Sequence, residues 1–163
     1  MPAAGRAPRG NPGLAGRRGR SYRGGVRKRD VVDHALARRA LLREVFGGGM
    51  FSTTSPSDVC DASPYLVRAA AELGTATDRT CPICRRGTLR EVAWVYGDAL
   101  GPQSGTARTP KQLAALAERR PDFAVYEVEV CADCRWNHLV RSWRTGTPGT
   151  APARQVARTA FPP

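Results

Sequence analysis

Cys81-Pro82-Ile83-Cys84 and Cys131-Ala132-Asp133-Cys134 are the two stretches on which the fold turns. A Cys-x-x-Cys pair sets two sulfurs on one tight turn, and two such pairs supply the four thiolates of a tetrahedral Zn²⁺. The 46 residues between them, 85 through 130, far exceed the insert of a minimal zinc ribbon, so a folded insert has to bring the two knuckles together. On this reading Cys81, Cys84, Cys131 and Cys134 are the ligands and Zn²⁺ is a clasp on the domain. A closed four-thiolate shell keeps no position open for water, which makes the expected role structural and not catalytic. Such a site contributes on the order of 10 kcal/mol to folding. The competing reading takes Cys81-Pro82-Ile83-Cys84 as a thioredoxin-type redox pair, which relies on a helix N-terminus to lower one thiol's pKa. Here Arg85-Arg86-Gly87 and then a strand follow instead.

Working outward from the first knuckle, Gly87 offers the turn glycine that folds backbone N–H groups toward sulfur. Residues 89–96, with Val92, Trp94, Val95 and Tyr96, read as a strand. Residues 97–108 hold Gly97, Gly101, Pro102 and Gly105 and read as a loop. Thr109-Pro110 starts a helix carrying Leu113, Ala114, Leu116 and Ala117, which stops before Pro121. The strand 123–130 alternates, with Phe123, Val125, Glu127 and Glu129 on one side and Ala124, Tyr126, Val128 and Val130 on the other, and enters the second knuckle. A third strand, 136–143, leaves it. Upstream, Asp30 is placed to cap a helix with Val31, Val32, Ala35, Leu36, Leu42, Val45 and Phe46 at helical spacing, ended by Gly47-Gly48-Gly49. Ser63-Pro64 predicts a second helix over 64–73 closed by Gly74, with 75–80 a polar connection into the first knuckle. The expected fold class is α+β: a small antiparallel zinc-ribbon-like sheet of about three strands, two N-terminal helices, and one helix inserted between the knuckles. The domain is expected over 30–146, flanked by disordered tails at 1–29 and 147–163.

The formal charge is +12 over 163 residues. Nine basic side chains and no acidic ones fall within residues 1–29, leaving 17 basic against 14 acidic, or +3, for the rest. The basicity therefore belongs to a tail, and Gly16-Arg17-Arg18-Gly19-Arg20-Ser21-Tyr22-Arg23-Gly24-Gly25 is the segment through which nucleic acid is a candidate partner. Five cysteines without a secretory leader point to reduced thiols and metal, not disulfides. No apolar run approaches the roughly 18 residues of a membrane span, so a cytoplasmic protein without membrane contact is expected. There is no G-x-S-x-G, H-E-x-x-H or G-x-x-x-x-G-K-[ST], and no small-molecule substrate is indicated.

Outside the four ligands, Cys60 precedes the helix start at Ser63-Pro64, where a thiolate would feel the positive end of the dipole; buried filler is the plainer reading. His138 follows Cys134 by four residues but is surplus to a complete ligand set, and His34 reads as a surface residue. Trp94, Tyr96, Trp136 and Trp143 with neighbouring arginines read either as core or as a stacking surface. Trp136 and Trp143 differ by seven positions, so on a regular strand one of them faces outward. Arg135, Trp136, Asn137 and Arg141 on the last strand are the candidate partner-binding residues.

Asp30-Val31-Val32-Asp33-His34-Ala35-Leu36, Val59-Cys60-Asp61, Pro64 through Ala70, Arg79 through Cys84, Trp94-Val95-Tyr96-Gly97, Ser104 through Pro110 and Val130 through Leu139 together resemble a family of small uncharacterised actinobacterial proteins classed as a domain of unknown function. The resemblance covers about residues 26–146. It implies a bacterial cytosol and a zinc-ribbon-like metal site, with a chain that begins near Val26 and a variable linker over 47–57; it implies no substrate. The function expected from all of this is a non-enzymatic zinc-ribbon module that docks on a larger machine of transcription or translation, chiefly through a protein partner. Two alternatives stand beside it: a thiol redox protein or sensor using a knuckle or Cys60, and a purely structural zinc protein.

Overall fold

The computed structural model describes residues 27–47 and 53–148. The segments 1–26 and 149–163, which hold most of the two expected tails, and the stretch 48–52 lie outside the described residues. The elements run β1 (Arg29–Asp33), α1 (Ala35–Gly47), α2 (Pro64–Leu73), β2 (Thr75–Thr80), β3 (Thr88–Tyr96), a kinked 3-10 segment (Asp98–Gln103), β4 (Thr106–Arg108), α3 (Pro110–Arg119), β5 (Phe123–Val130) and β6 (Asn137–Thr145). All strand pairings are antiparallel, in the order β1-β6-β5-β3-β2, with β4 also against β3. The α+β class stands, and the sheet has six strands where about three were expected.

Each extra strand lies at the margin of the sheet. Asp30-Val31-Val32 does not open a helix: it pairs with β6 through Val32↔Ser142 and Asp33↔Arg141. β-branched valines favour that extended backbone, and both remain exposed. The helix begins at Ala35, whose N–H is accepted by Asp33 Oδ1 at 2.7 Å. Residues 75–80 are likewise a strand, paired to β3 at Thr75↔Glu91 and Thr80↔Thr88. Within the expected loop 97–108, Thr106–Arg108 pairs with the far half of β3.

α2 and α3 form where the caps placed them. Ser63 Oγ accepts from Leu66 N at 3.2 Å, with Pro64 in the first turn. Thr109 and Gln112 make a reciprocal capping box, at 3.0 and 3.2 Å. The last carbonyls of α2 are met by Arg90 from β3, which donates to Ala70 O at 2.8 Å and Gly74 O at 2.7 Å. A cation there satisfies the orphan acceptors and complements the helix dipole.

The two faces of the sheet differ. On one, α2 places Leu66, Ala69 and Ala70 against Val92, Trp94, Val128 and Val130. The other carries two separate clusters. At one end α3 supplies Leu113 to Val95, Leu100, Phe123, Val125 and Trp143. At the other, Val45 of α1 meets Val59, Leu89, Trp136, Cys81 and Cys131. Trp136 and Trp143 are both buried, so the expectation that one faces outward is corrected. The cause is a β-bulge: Glu127 pairs with Arg141 but Val128 with Leu139, which leaves Val140 as an extra residue. One inserted residue turns an odd spacing into the same face. The Val140 carbonyl is taken by His34 N at 3.0 Å. Among the described residues no helix is long and apolar enough to cross a membrane.

Candidate metal centre

The two knuckles are built alike although 46 residues separate them. In each, the N–H of the residue after the second cysteine returns to the first cysteine's carbonyl, Arg85 to Cys81 at 3.1 Å and Arg135 to Cys131 at 3.0 Å. Those two arginines hold left-handed backbone, φ 55° and 67°. Each first cysteine in turn donates its N–H to the outgoing strand, Cys81 to Gly87 O at 2.8 Å and Cys131 to Trp136 O at 2.9 Å. Gly87 turns its N–H toward the Cys84 sulfur, as expected of it, and a second constraint acts there. A side chain there would lie 2.6 Å from Asp133 Oδ2 and 2.9 Å from Cys131 Sγ, so glycine is required because the opposite knuckle approaches so closely.

β2 and β3 flank the first knuckle, and β5 and β6 flank the second. Because β3 and β5 are paired from Arg90↔Val130 to Tyr96↔Ala124, the knuckles meet at one end of the sheet. The sulfurs of Cys81, Cys84, Cys131 and Cys134 all lie within 4.8 Å of one another, an arrangement that could hold a metal ion. Cys81 and Cys134 are 3.5 Å apart and Cys84 and Cys131 are 3.8 Å apart, well beyond a disulfide. Cys81 and Cys131 are buried, whereas Cys84 and Cys134 are half-buried.

The backbone is arranged to receive thiolates. N–H groups of Gly87 and Arg86 draw the Cys84 thiol down to about 6. Burial pushes the Cys81 thiol far up, against the N–H groups of Cys84 and Ile83 that point to its sulfur. Burial raises Cys131 as well, opposed by the N–H groups of Cys134 and Asp133. Two buried thiols that resist ionisation beside a third that ionises readily make a group that a bound cation could hold as thiolates.

A family of unknown function, DUF5318, matches residues 26–159. The chain belongs to this family. Uncharacterised proteins of Mycobacterium bovis and of Mycobacterium tuberculosis are 48% identical to it over 139 aligned residues, which cover 79% of this chain and 98% of each relative. No solved structure matches. The family membership and the mycobacterial relatives agree with the resemblance drawn from the sequence.

In this member of the family, the residues expected on a docking edge are engaged within the chain. β1 pairs along the outer side of β6 from Arg141 to Arg144, and the register of that pairing does not reach Asn137. Trp136 is fully buried and donates Nε1 to Glu129 Oε1 at 2.9 Å. Arg141 pairs with Glu127 at 2.6 Å. Arg135 donates Nε to Ala62 O at 2.7 Å, and Asn137 donates Nδ2 to Asp61 Oδ1 at 2.8 Å. With Ala62 N bonded to Arg135 O at 3.0 Å, these contacts fasten the segment just before α2 onto the second knuckle.

That fastened segment carries Cys60. Its thiol does not behave as one activated by a helix terminus: burial, then a hydrogen bond with Cys134, push it up to about 12. His138 is not drawn into the ligand group; its ring stacks on Trp136 at 5.9 Å, and burial lowers its pKa. His34 Nε2 lies 3.4 Å from Ser142 Oγ, longer than the about 2.6–3.2 Å of an effective base.

Sequence reasoning passed over Glu129, which sits beside the site with no exposed surface. Its Oε1 also accepts from Arg38 Nε at 2.6 Å, and Arg79 pairs with Oε2 at 3.2 Å. The signal was present in the alternation of β5, where Glu127 and Glu129 share a side with Phe123 and Val125. An acid on an apolar face marks a buried charge that needs partners.

Proposed function

We propose that the four sulfurs hold one structural Zn²⁺, and that the chain is a non-enzymatic, zinc-clasped module that docks on a larger assembly. The observation that carries the reading is the sulfur geometry. Tetrahedral zinc with bonds of about 2.3 Å places its sulfurs about 3.8 Å apart; two of the four cross-knuckle pairs stand at 3.5 and 3.8 Å, and all four sulfurs lie within 4.8 Å of one another. Four thiolates leave zinc no position for water or substrate, which favours a structural role over a catalytic one. The +3 charge of residues 30–163 favours a protein partner over nucleic acid for the folded part, because a phosphate-binding surface needs a larger basic excess.

Native mass spectrometry tests the centre, with alkylation before and after a chelator. One zinc per chain with four thiols protected until the metal is removed is the expected outcome. Metal-free protein with all five cysteines reactive would overturn it.

A further inference from the structure

The fifth cysteine is held beside the candidate metal centre by the contacts that fasten its segment onto the second knuckle. Arg135 and Asn137, at the outer end of the second knuckle, reach back to the carbonyl of Ala62 and the carboxylate of Asp61. Val59 is buried in the same cluster as Cys81, Cys131 and Trp136. Cys60 therefore has a buried residue on one side and a clamped residue on the other, and its own N–H is bonded to Ser57 O at 3.2 Å. Its side chain packs against this cluster alongside Cys84 and Cys134, on a segment bonded to both Arg135 and Asn137, the residues that follow Cys134. It is nonetheless outside the group of four sulfurs that are mutually within 4.8 Å. The arrangement is thus four proposed ligands and one uncommitted thiol, packed on the same cluster as Cys134, which is itself half-buried.

We propose that Cys60 is the resolving thiol of an oxidant-sensitive metal centre, forming a disulfide with Cys134 that opens the site and releases its metal. The inference rests on the zinc reading above and adds a regulation to it. The oxidant is a peroxide. The Cys134 thiolate attacks one peroxide oxygen, so an S–O bond forms, the O–O bond breaks and hydroxide leaves, taking up a proton as water. Sulfur has then lost two electrons to become a sulfenic acid. The Cys60 sulfur attacks the oxidised sulfur of Cys134; the S–S bond forms, the S–O bond breaks, and the departing hydroxide takes the Cys60 proton as a second water. Cys134 no longer offers a thiolate, and three ligands remain where four closed the shell. A thiol reductant reverses the change.

Cys60 is better placed for this than another ligand. While zinc is bound, the sulfurs of Cys81, Cys84 and Cys131 are committed to the metal, whereas Cys60 is free of it and packs on the same cluster as Cys134. Opening the site also acts on the fold, because the Cys60 segment, the second knuckle and the start of β6 are tied by the same three hydrogen bonds.

The test exposes zinc-loaded full-length protein to stoichiometric hydrogen peroxide, follows zinc with a chromogenic chelator, and maps disulfides by mass spectrometry after alkylation. Wild-type protein is expected to lose its zinc, yield the Cys60–Cys134 disulfide, and regain zinc after reduction. Cys60→Ser is expected to bind one zinc before oxidation, form no such disulfide, and accumulate a sulfenic acid at Cys134 that dimedone traps. Zinc-loaded wild-type protein whose Cys60 stays alkylatable after losing zinc, with disulfides only among the four ligands, would overturn the inference while leaving the zinc reading intact. Protein that never holds zinc would overturn both.

Discussion

The same face of the same three strands is closed by two different means at its two ends. Under α3, Val95, Leu100, Leu113, Phe123, Val125 and Trp143 fill the space with hydrocarbon and aromatic surface. Under α1, Leu89 and Trp136 share the space with Cys81 and Cys131, and α1 adds Val45 with the partly buried Leu41 and Leu42. Between the clusters runs a band of ion pairs, Arg38 with Glu129 and Arg141 with Glu127. The comparison teaches that one end carries its own hydrophobic core, while the other has given part of that volume to sulfur and, in the zinc-bound state proposed above, draws on the cation for the difference.

The comparison breaks most sharply if the metal is removed. Cys131→Ser takes away a buried ligand at the join of β5 and the second knuckle, and removes stabilisation on the order of 10 kcal/mol from that end. Amide exchange should lose protection over 81–91 and 129–139 while the centre of β5 at Val125 keeps much of its own; equal loss at both ends would show that the ends are not distinct. The converse variant, Phe123→Ala, empties the α3 end, where Phe123 has no exposed surface. It should cost about 3–5 kcal/mol by denaturant unfolding and leave zinc stoichiometry unchanged.

Glu129→Ala probes the band between them. Arg38, Arg79 and the Trp136 indole would lose their shared acceptor, a destabilisation of about 3 kcal/mol, the lower end for a broken buried pair because both arginines reach solvent. The smallest effect concerns pH. The pKa of His138 is lowered mainly by burial, so the folded state prefers the neutral ring. That preference is fully present above the ordinary histidine pKa and is lost as pH falls from there through the folded value. Replacement by phenylalanine, which can stack on Trp136 without titrating, should flatten the decline of stability below about pH 6.5; an unchanged slope would remove His138 from that role.

The parts of the fold legible in the sequence are those with a periodic apolar pattern or a cap. α2 falls at Pro64–Leu73 and β5 at Phe123–Val130, as Ser63-Pro64 and the alternation of Phe123 through Val130 indicate. The marginal strands were hidden because an edge strand need not bury one side. β2 is Thr-Ala-Thr-Asp-Arg-Thr, which reads as a polar connection, and the valines of β1 satisfy helical spacing by accident while remaining in solvent. The four-cysteine group was legible from its doubled spacing alone. The clamp formed by Arg135 and Asn137 was not, since a side chain that bonds a group more than seventy residues away leaves no local pattern. The bulge at Val140 was hidden for a related reason: register is a property of two strands, and the sequence of β6 alone contains only half of it.

The most direct test of the central claim is X-ray absorption at the zinc edge on protein purified without added metal. The account predicts a single shell of four sulfurs at about 2.3 Å and no nitrogen or oxygen neighbour. A first shell containing light atoms, or protein without zinc, would contradict it.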